Sequence, residues 1–206
     1  MKIQLPSDRS KYSICGLLCA RMLSEFLSPP VMGVLSLMVV GCSGSRPSGT
    51  GFGWAVVLAF GCGGPPLVYV WKAADCRGSL SMQALERGKR LATGVIAFAA
   101  LAVGLGLAVE LDAPRPLVEF LSFSVGGIAL GALLTTVGKL SLHTAVLASL
   151  LGAASTQCGL PMLTALPLVT LVGWARIRVK AHTHIQVLAG CVFGLAWAAI
   201  FMGVRG

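Results

Sequence analysis

Residues 175–190, ARIRVKAHTHIQVLAG, form a polar run between two apolar segments. The run carries three cations, Arg176, Arg178 and Lys180, and two histidines, His182 and His184. Charge that appears only where apolar runs end is the pattern of a helical membrane protein, whose polar residues mark the exits from the hydrocarbon. Two more short runs stand in the same setting: Lys139-Leu140-Ser141-Leu142-His143 and Glu86-Arg87-Gly88-Lys89-Arg90.

Composition agrees. The 206 residues are 56% hydrophobic and 11% charged, whereas soluble domains carry about a quarter charged residues. The fold class expected is all-α, a polytopic transmembrane helical bundle. A membrane β-barrel would alternate polar and apolar residues with period two, which this chain does not. The net charge of +9 is concentrated in the loops. There it speaks for topology and for anionic lipid or phosphate. No interleaving of basic and aromatic residues points to nucleic acid as a partner. The seven cysteines include no CxxC pair, and a structural metal site wants closely paired ligands. No metal and no cofactor is expected.

Two regions follow. Residues 1–26 read as a polar N-terminus and an interfacial helix, and residues 27–206 as a transmembrane bundle of about six to seven spans. The spans are placed at about 29–41, 54–70, 91–109, 117–137, 141–156, 161–174 and 185–204. Gly61, Gly63, Gly64, Pro65 and Pro66 are expected to interrupt the second. Val39-Val40-Gly41-Cys42 looks like a lipoprotein cleavage box, but it lies too far from the start for a signal peptide, so a retained helix is expected. Small residues four apart, Gly127/Gly131 and Gly190/Gly194, predict close helix contacts. Two spans separate Arg90 from Lys139, and two separate His143 from Arg176. All three polar runs therefore face one side of the membrane.

Such a set suits a phosphate ester. Guanidinium groups grip phosphoryl oxygens in pairs of hydrogen bonds. Imidazole serves as nucleophile or as proton carrier near neutral pH. Helix N-termini add backbone N–H donors.

The spacing Arg176, five residues, His182, three residues, Gln186, then an apolar run and Gly190, resembles the third motif of the type 2 phosphatidic acid phosphatase superfamily. Lys139-Leu140-Ser141-Leu142-His143 resembles the second motif through Ser141 and His143. Arg87 and Arg90 match the first motif only loosely. The resemblance covers roughly residues 53–204. It implies His182 as the nucleophile that forms a phosphohistidine, and His143 as the acid for the leaving group. It implies Arg176, Arg87, Arg90 and Ser141 as ligands of the phosphoryl oxygens. Lys139 would stand in for the lysine absent from the first motif, and His184 would be a neighbour or a substrate contact. Two departures stand out. Ala175 replaces the motif serine, and Gln186 replaces the aspartate that orients the nucleophile. A Gln carbonyl still accepts an imidazole N–H, but it offers no negative charge.

The expected function is metal-independent hydrolysis of a membrane lipid phosphate or prenyl (di)phosphate. The alternatives are a prenyl diphosphate transferase or cyclase, and a degenerate binder of lipid phosphate. The expected location is the bilayer, as a multi-pass protein of a bacterial cell membrane. The side that the site faces and the oligomeric state stay open.

Overall fold

The computed structural model describes residues 8–43, 49–73, 87–137, 140–159 and 164–205. Regular structure within them is entirely helical. The elements are α1 (Asp8–Phe26), α2 (Pro29–Ser43), α3 (Thr50–Ala73), α4 (Arg87–Glu110), α5 (Arg115–Val137), α6 (Leu142–Cys158), α7 (Pro167–Arg178) and α8 (His184–Arg205).

Length and composition select the membrane helices. Four described helices are long and apolar enough to cross: α3, α4, α5 and α8. α1 and α2 meet at a 50° bend and make a fifth if counted together as one broken span. The bend falls at Leu27 and Ser28, just before Pro29-Pro30, where proline opens α2 at no cost in hydrogen bonds. α6 has 17 residues and α7 has 12. At 1.5 Å per residue they reach about 25 and 18 Å, short of the roughly 30 Å hydrocarbon core. The expected six or seven spans thus contrast with four or five of span length.

The expected interruption of the second span does not occur. α3 runs unbroken for 24 residues, with Pro65 and Pro66 inside it. Proline cannot bond back to the carbonyl four residues earlier. In a membrane bundle, neighbouring helices make that loss tolerable.

Large apolar side chains cover the outside: Phe60, Val95, Ile185 and Val204 are each more than 60% exposed. A surface of that kind is a liability in water and the expected face toward lipid. The interior is filled by Leu117, Leu121, Leu147, Val40 and Val172.

The contact that positions the site is α6 against α8, the most extensive in the bundle. The expected small-residue face is there. A Cβ on Gly190 would overlap the Ser141 carbonyl and the Thr144 hydroxyl, and one on Gly194 would overlap the Ala145 carbonyl. Bare glycine lets the two backbones touch. Gly127, by contrast, lies under the indole of Trp197, whose Nε1 donates to the Phe123 carbonyl at 3.1 Å.

α6 begins and α7 ends at the same end of the bundle, where α8 begins. α6 and α7 return the chain to that end, where Ser141 N–H bonds the Gln186 carbonyl.

Candidate functional site

Three local structures build the site. The first is the end of α7. Ala181 N–H donates to the Arg176 carbonyl at 3.0 Å, and Lys180 N–H donates to the Ile177 carbonyl at 2.9 Å. These are the two bonds of a Schellman turn, with Lys180 as its left-handed residue at φ 55°. His182 N–H also reaches the Arg176 carbonyl, at 3.4 Å. The spacing from Arg176 to His182 is therefore the length of one helix-ending turn.

The second is the start of α8. Gln186 N–H donates to Thr183 Oγ1 at 3.4 Å, and Thr183 N–H donates to Gln186 Oε1 at 3.2 Å. This reciprocal pair is a capping box. It also decides a tautomer. A backbone N–H only donates, so the Gln186 atom it meets is the carbonyl oxygen. The same oxygen lies 3.1 Å from His182 Nδ1. Nδ1 must then carry the proton and donate, which leaves the Nε2 lone pair open.

The third is the start of α6. Ser141 occupies the N-cap position at φ −82°, ψ 104°, yet its hydroxyl caps nothing. Its N–H instead donates to the Gln186 carbonyl at 2.9 Å, and Thr144 Oγ1 donates to the Val187 carbonyl at 3.2 Å. These bonds tie the second polar run directly to the third.

Two buried polar atoms here have no partner among the described residues: Ser141 Oγ, in a residue with no exposed surface, and Arg176 Nε, in a residue only 5% exposed. Leaving a buried donor unpaired costs about 1–3 kcal/mol. The other edge of the guanidinium is engaged: Arg176 Nη1 donates to Ser24 Oγ at 2.9 Å.

Charge and burial act on these groups together. Burial and then the Arg176 charge hold His182 below the ordinary imidazole range, against the opposing bond to Gln186. His143, in the first turn of α6, lies within reach of the Arg176 and His182 charges, and its ring bonds the Ser24 backbone. The site thus gathers one buried guanidinium and two imidazoles.

The structure brings together five of the expected residues: Ser141, His143, Arg176, His182 and Gln186. His184 is the exposed first residue of α8 and has no described contact in the site. Lys139 lies outside the described residues, as do the side chains of Arg87 and Arg90. Ser24 is the member that sequence reasoning missed. Nothing in its spacing marks it, because it reaches Arg176 across 152 residues. The capping role of Thr183 was legible in Thr183-x-x-Gln186 and went unread.

No family model, curated protein or solved structure matches this chain. Among the described residues no three His, Cys, Asp or Glu side chains form a group that could hold a metal ion.

The depressed imidazole of His182 fixes a pH dependence. A histidine whose folded pKa lies below its unfolded value binds fewer protons when folded. Its stabilising effect is complete above the unfolded value and is lost as pH falls. For His182, in the turn between α7 and α8, that window lies below the ordinary imidazole range. The thermal unfolding midpoint of the detergent-solubilised protein should fall as pH is lowered through this window. Sulfate, an anion that would favour the charged rings, should reduce the fall. A midpoint flat across the window would contradict the arrangement.

Proposed function

We propose that the chain is a metal-independent phosphatase of a membrane lipid phosphate or prenyl (di)phosphate, acting through a phosphohistidine at His182. The observation that carries this reading is the pair of buried, unpartnered donors, Ser141 Oγ and Arg176 Nε, beside an imidazole whose Nε2 is left open. A phosphoryl group supplies what each lacks: oxygens for the two donors and an electrophilic phosphorus for the lone pair. The amides at the start of α6 favour the same anion.

The chemistry then runs in two steps. His182 Nε2 attacks phosphorus, the bond to the ester oxygen breaks, and that oxygen takes a proton. His143 is the group placed to give it. An incoming phosphate dianion favours the charged ring and draws a proton onto it. In the second step water attacks phosphorus and gives a proton to the now neutral His143, the P–N bond breaks, phosphate leaves and His182 returns to its neutral form. Gln186 holds His182 in the reactive tautomer throughout. Its lack of charge argues for a weaker nucleophile than a carboxylate partner would give.

The resemblance of 139–143 and 175–190 to the type 2 phosphatidic acid phosphatase motifs supports the same reading. On that reading α6 and α7 cross the bilayer as shortened helices, which brings the count to six or seven. The apolar outer surface supports a substrate presented from the bilayer.

The test is phosphate release by the purified protein with EDTA present, against phosphatidate, phosphatidylglycerol phosphate and prenyl diphosphates of several lengths. Release from at least one, with an acid-labile phosphoenzyme, is expected. A new carbon skeleton or a transferred headgroup would replace hydrolysis by the transferase or cyclase reading. Binding without turnover would leave a lipid-phosphate binder.

A further inference from the structure

α1 reads from its sequence as an interfacial anchor, but its last turn is built into the site. Ser24 is 2% exposed, while Met22 and Phe26 on either side are more than half exposed. The residue meets two groups carried by two other helices. Its hydroxyl accepts from Arg176 Nη1 at 2.9 Å, and its backbone bonds the ring of His143. α1 also packs along α7, with Gly16 facing the Arg178 guanidinium. The 50° bend between α1 and α2 is what lays the end of α1 there.

A guanidinium presents its five N–H groups in one plane. Fixing one Nη therefore fixes the direction of Nε. Arg176 is a long side chain, and a ligand that had to order it would lose affinity to rotamer entropy. A hydroxyl that holds the fork in place before the anion arrives removes that loss.

We propose that Ser24 is a positioning residue of the site, holding the Arg176 guanidinium ready for the phosphoryl group from a helix outside the two polar runs. The inference rests on the phosphatase reading for its kinetic test, but not for its binding test. Ser24→Ala removes the bond to Arg176 and leaves the backbone bond to His143. The expected result is a rise of roughly tenfold in KM for whichever phosphate ester is turned over, and an equal rise in Kd for inorganic phosphate by calorimetry. The expected kcat stays within about twofold, because the attacking and proton-giving groups are untouched.

A fall in kcat at constant KM, the mark of fewer folded molecules, would overturn the proposal. So would unchanged KM and Kd in a preparation where His182→Ala is inactive. If the unaltered protein hydrolyses none of the esters, the phosphatase reading fails, and Kd for inorganic phosphate alone then judges Ser24.

Discussion

His182→Ala should abolish phosphate release, lowering turnover by roughly 10³-fold or more, and should eliminate the phosphoenzyme. The protein should remain folded. His182 sits in the turn between α7 and α8, and the backbone bonds that shape this turn do not use its ring. The capping box also survives, since Thr183 and Gln186 close it without the imidazole. Inorganic phosphate should still bind, because Arg176 and Ser141 remain. The informative measurement pairs single-turnover kinetics with phosphate calorimetry on the same preparation. Phosphate release at the unaltered rate would remove His182 from the mechanism. Loss of phosphate binding along with turnover would make it a ligand rather than a nucleophile.

Arg176→Met should separate function from stability. The guanidinium is buried, and among the described residues no carboxylate pairs with it. A buried cation without a counter-charge destabilises the fold. Methionine fills a similar volume with a flexible apolar chain. The substitution should therefore raise the thermal midpoint measured without added phosphate, by about 1–3 kcal/mol of stability. At the same time kcat/KM should fall by roughly 10²–10³-fold, since charge-assisted bonds to phosphate are lost. Gain in stability with loss of activity is the behaviour of a group kept for its ligand. A lower midpoint with activity intact would make Arg176 a structural residue.

Much of this site is legible in the sequence. The apolar runs disclosed a helical membrane bundle. Counting those runs put His143 and His182 at one end, and the Ser141 to Gln186 bond realises that count. The spacing from Arg176 to His182 was visible as a number, though its cause was not. A Schellman turn usually announces itself by glycine, and here the left-handed position is Lys180.

Other features were hidden for physical reasons. Pro65-Pro66 looked like a break because local propensity treats proline as one, while packing inside the bundle lets α3 continue. Hydropathy marked α6 and α7 as apolar, but it does not report where a helix stops. Ser24 lies in a helix with mixed polarity, and only tertiary packing brings it to Arg176.

The turn that closes α7 has a consequence for how this region tolerates change. One carbonyl, that of Arg176, takes hydrogens from two successive amides, so the loop is tied at both ends to a single atom. The letters between those ends can vary, because the ties run through the main chain. Their number cannot. Adding or deleting one residue between Arg176 and His182 would rotate the imidazole away from Gln186 while leaving every reactive side chain present.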